Sequence, residues 1–78
     1  MIDISKLSVG QKVCYQPSHY EEEFENGLIK EIPTHTNEAV RVVYNCNGDW
    51  ENFKNYTSAL TNLRDLKLGW LHKEEIYA

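Results

Sequence analysis

Short apolar runs rich in β-branched residues, each ended by turn residues, recur along this chain and constrain its fold more than any other feature. The clearest run is 39–46, AVRVVYNC, and Asn47-Gly48 follows it directly. β-branched side chains pack well on a pleated sheet, and Asn-Gly is a strong signal for a tight turn. Helical periodicity is poor almost everywhere. Several short strands separated by turn signals are typical of all-β domains, so we predict an all-β fold.

The runs predict four strands and a shorter fifth one. Their bounds are 12–16, 28–32, 39–46, 50–57 and the residues near 59–61. Asn26-Gly27 is interpreted as the turn before the second strand. For the hairpin at Asn47-Gly48 we favour a three-residue loop that pairs Cys46 with Trp50, because a one-residue slip would scatter the apolar face. In that register one face carries Val40, Val42, Tyr44, Cys46, Trp50 and Tyr56.

The C-terminal third predicts a turn of helix followed by an extended end. Asn62 is a helix-capping residue, and 63–66 fit a short 3₁₀ turn after the fifth strand. Residues 71–78 are too few and too polar to fold alone, so we expect a tail that frays or forms one docked helical turn. In the core we expect Val42, Tyr44, Trp50 and Leu60 to be buried together.

The length of 78 residues allows one domain, 1–78, with its folded part at about 7–70. We expect these strands to form a small barrel, because closure removes the exposed edges that a small sheet would otherwise have. No apolar run approaches the ~18 residues that a membrane span needs. The first six residues lack a basic leader with an apolar stretch behind it, so we expect a cytoplasmic protein.

The charge of the chain is unevenly distributed. The net charge is −4, and residues 1–39 hold all of the excess, with three Lys against seven acids. Most of it lies in Glu21-Glu22-Glu23 and Glu25. Nucleic-acid binders usually carry a basic field because phosphate neutralisation drives their affinity. The acidity therefore disfavours, without excluding, a nucleic-acid partner.

Three segments resemble SH3-like barrels of the KOW and Tudor type. They are LSVGQKV at 7–13, NGLIKEI at 26–32, and DLKLGW at 65–70, which resembles the closing segment of small barrel proteins of bacteria and phages. The resemblance implies a small SH3-like barrel of four to five short antiparallel strands, with a 3₁₀ or helical turn near the C-terminus. Peptide binders, nucleic-acid binders and methyl-group readers share that fold, so the resemblance implies no single function.

Signatures of catalysis and of metal binding are missing from the sequence. It contains no Gly-x-Ser-x-Gly elbow, no phosphate-binding glycine loop and no His-Glu-x-x-His. Cys14 and Cys46 are best interpreted as two buried thiols; a disulfide between them is an alternative, and a zinc site fits their spacing poorly. We therefore expect a protein that is not an enzyme and has no cofactor.

The candidate binding residues lie in and beside the polar loop that follows the first strand. They are Tyr15, Tyr20, Glu21, Glu22, Glu23 and Phe24. Clustered carboxylates around aromatic residues would steer and anchor a basic partner. The sequence thus predicts an interaction module for a protein with a basic surface. Two alternatives stay open: a KOW- or Tudor-like nucleic-acid module using Arg41, Lys54, Arg64 and Lys67, and a structural subunit that oligomerises by strand addition.

Overall fold

The computed structural model describes residues 2–17 and 23–72 and shows an all-β protein. Five strands form one antiparallel sheet: β1 Lys12–Tyr15, β2 Glu25–Glu31, β3 Ala39–Val43, β4 Ala59–Asn62 and β5 Leu66–Leu68. Three 3₁₀ helices accompany them: η1 Ile4–Lys6, η2 Trp50–Asn55 and η3 Leu63–Asp65. No helix among the described residues is long and apolar enough to cross a membrane.

The strand order across the sheet is β4-β3-β2-β1-β5. The two end strands, β4 and β5, are joined by η3 alone, without any further linker. A 3₁₀ helix rises ~2 Å per residue, so this three-residue turn brings the end of β4 close to the start of β5. Asn62 caps the turn by accepting a hydrogen bond from the Arg64 backbone N–H at 3.0 Å, as the sequence predicts.

One face of the sheet carries the main core. Val13, Ile29, Val40 and Val42 are fully buried on it, and the pairing of Ile29 with Val42 places both on the same side. Leu7, Leu63 and Leu66 complete this cluster. The alternating side chains of the strands therefore direct every second apolar residue into one core.

The opposite face of β2 and β3 is covered by η2 and Trp70. Leu28 and Val43 pair there and are buried. The Trp70 indole Nε1 donates a hydrogen bond to the Gly27 carbonyl at 2.8 Å, and the Trp50 ring lies 5.0 Å from the Trp70 ring. Both faces of this small sheet are thus protected from water.

The predicted strand 50–57 is wrong, because η2 occupies Trp50–Asn55. Asn47 and Gly48 both have positive φ, and the Asp49 N–H donates to the Cys46 carbonyl at 2.9 Å, which closes a two-residue turn. The predicted three-residue loop and the pairing of Cys46 with Trp50 are therefore wrong as well. The Asp49 carboxylate then accepts hydrogen bonds from Asn52 and from the Tyr56 hydroxyl, and such local bonds compete with a strand ladder.

Two further strand bounds differ from the prediction. Asn26-Gly27 is not a turn, because β2 already begins at Glu25 and both residues pair with β1. The third strand ends at Val43 and not at residue 46, since Asn45 and Cys46 enter the turn, where Asn45 accepts a bond from the Asn47 N–H. β1, β4 and the extended end at β5 agree with the prediction.

The predicted core is confirmed only for Val42. Tyr44 and Trp50 are half-buried, and Leu60 is 49% exposed on the end strand β4. The reason for the difference is that Trp50 belongs to η2, on the outer face, and cannot reach the core that holds Val42. The prediction of two unbridged, buried thiols is confirmed for Cys14 and Cys46.

Candidate functional site

An open groove of about 380 Å³ lies along the end strand β4. All four residues of β4 line it. Four residues from other parts of the chain line it as well: Tyr15, Glu25, Tyr44 and Asp65. We call this the β4 groove.

The sheet register brings these residues together. Tyr15, the last residue of β1, pairs with Glu25, the first residue of β2, and with Leu66 of β5. The Gln16 N–H donates to the Asp65 carbonyl at 2.8 Å, which holds η3 beside the end of β1. The polar loop between β1 and β2 therefore starts and ends at one wall of the groove.

Two tyrosines give the β4 groove an aromatic surface. The rings of Tyr15 and Tyr44 meet edge to face, with centroids 6.1 Å apart and an interplanar angle of 71°. The Tyr44 hydroxyl and the Thr61 hydroxyl are hydrogen-bonded at 2.7 Å, which ties the ring to β4. This fixed arrangement offers aromatic surface to a ligand with little loss of side-chain freedom on binding.

Gly27 allows Tyr44 to reach this position. A methyl group on Gly27 would lie 2.6 Å from Val42 Cγ1, 2.6 Å from the Val43 carbonyl oxygen and 3.0 Å from Tyr44 Cδ1. No side chain fits at such distances, so the close packing of β3 and Tyr44 on β2 requires glycine.

The electrostatics of the groove favour a cation. Among the described residues that line it, Glu25 and Asp65 are the charged ones, and both are carboxylates. Burial, together with a smaller effect of the nearby Glu25 charge, raises the pKa of Tyr44 to about 12, although the Thr61 hydrogen bond acts in the opposite direction. Tyr44 is therefore a neutral phenol at physiological pH, and it adds no charge to the two carboxylates.

The predicted binding residues are only partly placed by the structure. Tyr15 lies in the β4 groove, while Glu23 is exposed and Phe24 is half-buried just before β2. Tyr20, Glu21 and Glu22 lie outside the described residues. Three residues of the groove, Glu25, Tyr44 and Asp65, are not among the binding residues predicted from the sequence. A signal for Tyr44 was present, since it continues the inward alternation of Val40 and Val42 beyond the end of β3.

Metal and thiol chemistry find no support in this groove. No group of three or more His, Cys, Asp or Glu able to hold a metal ion occurs within 2–17 and 23–72. Burial raises the pKa of the Cys14 thiol, which disfavours the reactive thiolate. The groove combines aromatic rings, two carboxylates and an open shape, which is a binding chemistry.

Comparisons with family models, with curated proteins and with solved structures found no match to this chain. The argument for its function therefore depends on the fold and on the geometry of the β4 groove.

Proposed function

We propose that this protein is a non-enzymatic interaction module that binds the basic surface of a partner protein. The observation that carries the proposal is the β4 groove, where two tyrosines in edge-to-face contact line the same groove as Glu25 and Asp65. A Lys or Arg side chain gains both from the aromatic surface and from the carboxylates. The groove is open and suits a protruding side chain of a protein better than an enclosed metabolite.

The acidic loop is attached to the sheet at the groove. Tyr15 and Glu25 form the base of the loop, so Glu23 and Phe24 leave the sheet next to the groove wall. A run of carboxylates in such a place attracts a basic partner from a distance, and the groove then fixes one cationic group at short range. The loop residues that the sequence predicts and the groove thus serve the same partner.

The five short antiparallel strands of the sheet, with η3 as a 3₁₀ turn near the C-terminus, support the SH3-like resemblance of the sequence. We propose that the sheet curls into a small barrel of this type and that the β4 edge stays unpaired at the seam, where η3 joins β4 to β5. We also place the protein in the cytoplasm, where two unbridged cysteines such as Cys14 and Cys46 are usual.

A labelled lysine-rich peptide tests the proposed function. We expect the double variant Glu25→Gln/Asp65→Asn to weaken binding by about tenfold or more, because it removes both carboxylates of the groove. The matched control, Glu31→Gln/Glu51→Gln, changes the net charge equally at exposed positions outside the groove lining. Fluorescence anisotropy at low salt measures both. Equal losses in the two variants would reduce the effect to general charge attraction and contradict the proposal.

Fluorescence anisotropy with a labelled single-stranded oligonucleotide tests the alternative function of nucleic-acid binding. The aromatic residues on the outer face already contact each other, with Lys12 Nζ 4.7 Å above the Trp70 ring and Trp50 against that ring. We therefore expect weak oligonucleotide binding. A tight affinity that falls steeply with salt would favour the alternative.

A further inference from the structure

The backbone of β4 has an open edge along the groove. β4 is the terminal strand of the sheet and, within the described residues, it pairs with β3 alone. All four of its residues line the groove, and Leu60 is 49% exposed. An end strand of this kind is a template for pairing with another extended chain.

The register shows which backbone groups face this edge. The Leu63 N–H donates to the Glu38 carbonyl at 2.8 Å, which continues the β3–β4 pairing by one step and marks that pair as hydrogen-bonded. Hydrogen-bonded and non-hydrogen-bonded pairs alternate along an antiparallel ladder. Thr61 and Ala59 therefore bond to β3, while Leu60 and Asn62 direct their backbone N–H and C=O groups away from β3, toward the groove.

We propose that an extended segment of the basic partner adds to β4 as a further strand and places a Lys or Arg side chain between Glu25 and Asp65. This inference rests on the proposed function and specifies the form of the partner. Pairing at Leu60 and Asn62 fixes the position of the segment, and side chains of an added strand alternate between the groove and solvent. One cationic side chain then reaches the tyrosines while its neighbours point away.

Charge favours a basic segment over a second copy of this chain. β4 itself, Ala-Leu-Thr-Asn, has no cationic side chain to offer to a neighbouring groove. Pairing of two β4 edges would also bring the carboxylates of two grooves together, and like charges held close oppose association. The occupant is therefore a heterologous segment with Lys or Arg.

Three short peptides, acetylated and amidated, test strand addition on the full chain. The first alternates lysine with threonine, the second has glutamate for lysine, and the third is the lysine peptide with N-methyl groups on alternate backbone amides. We expect the lysine peptide to bind and the glutamate peptide not to bind. The N-methylated peptide should bind about tenfold more weakly or worse, because its N-methyl groups remove backbone hydrogen bonds to β4.

Amide hydrogen exchange by NMR locates the contact. With the lysine peptide, the Leu60 and Asn62 amides should become protected, whereas those of Ala59 and Thr61 should change little because they already bond to β3. The variant Leu60→Pro removes an outward N–H without touching the β3 ladder and should abolish protection at Asn62; Leu60→Ala keeps the N–H and should retain it.

The outcomes separate the two proposals. Equal binding of the lysine and N-methylated peptides overturns strand addition and leaves the cation-binding groove intact. Absence of binding to either peptide overturns the proposed function and strand addition with it. The inference is also overturned if, without peptide, the Leu60 and Asn62 amides become more protected from exchange as the protein concentration rises. That result assigns the β4 edge to a second copy of this chain.

Discussion

At the scale of single residues, Gly27 shows how one position decides both stability and the site. It lies inside β2, where β3 approaches too closely for any Cβ. The sequence analysis assigned Asn26-Gly27 to a turn, because this dipeptide usually marks one. Two tertiary contacts reverse that preference: the packing of Val42 and Tyr44 on Gly27, and the hydrogen bonds of the Asn26 side chain to the Leu71 backbone at 2.8 and 3.0 Å.

Gly27→Ala should destabilise the protein by about 2–4 kcal/mol, because the Val43 carbonyl that meets the new methyl group is backbone and cannot rotate away. A domain of this size has ~3–5 kcal/mol in total, so much of the variant should be unfolded. Urea unfolding followed by tryptophan fluorescence measures the loss.

Gly48→Ala is the matched control for that prediction. Gly48 has a φ of +81° and open space around its Cβ position, so alanine there meets only backbone strain of about 1 kcal/mol. If the two variants had the same midpoint, close packing at Gly27 would not be the cause of its effect.

At the scale of elements, the aromatic residues of η2 recur with a period of three, whereas the predicted strand at 50–57 requires a period of two. Trp50, Phe53 and Tyr56 recur at every third residue, and all three are half-buried, while the four residues between them are exposed. A 3₁₀ helix has three residues per turn, and this spacing of three suits the two short turns that η2 makes on either side of a kink at Asn52. The strand interpretation used a period of two, which would have put Phe53 on the face opposite to Trp50 and Tyr56.

Trp50→Ala should cost about 1–2 kcal/mol, less than the ~3–5 kcal/mol expected for a fully buried aromatic residue. The substitution removes the half-buried Trp50 ring and its contact with Trp70, and it leaves the main core unchanged. Urea unfolding measures the cost, and Lys54→Ala, an exposed change in the same helix, is the control. A loss of cooperative unfolding would place Trp50 in the core after all.

At the scale of the whole molecule, the proposed function assigns the uneven charge distribution a role in attracting the basic partner. The sequence places the excess acid in the first half of the chain, and the fold places the base of that loop at the β4 groove. Under the proposed function, the loop supplies long-range attraction and the groove supplies short-range binding. The two effects are separable, since distant charges act mainly on the association rate and contacting charges on the dissociation rate.

Replacing Glu21, Glu22 and Glu23 with Gln should slow association with the lysine peptide at low salt and leave dissociation nearly unchanged. The net charge rises from −4 to −1, because three carboxylates are lost. Stopped-flow fluorescence measures both rates. The difference from the parent should shrink toward physiological ionic strength, where the Debye length is ~8 Å.

The control for this prediction replaces Glu31, Glu38 and Glu51 with Gln. These three exposed residues lie elsewhere and give the same net charge of −1, from −4 with three carboxylates lost. If both triple variants slowed association equally, total charge would govern the encounter and the loop would have no special part in it.

The sequence alone determined the features that depend on neighbouring residues. The β-branched run at 39–43, the turn at Asn47-Gly48 and the Asn62 cap follow from local backbone preferences and short-range hydrogen bonds. The tertiary structure alone decided that Trp50–Asn55 form a 3₁₀ helix and that Gly27 lies inside β2. It also decided that four distant residues line the groove along β4: Tyr15, Glu25, Tyr44 and Asp65. The physical reason is that strand register and close packing join residues far apart in the chain, and no local pattern records the distances between them.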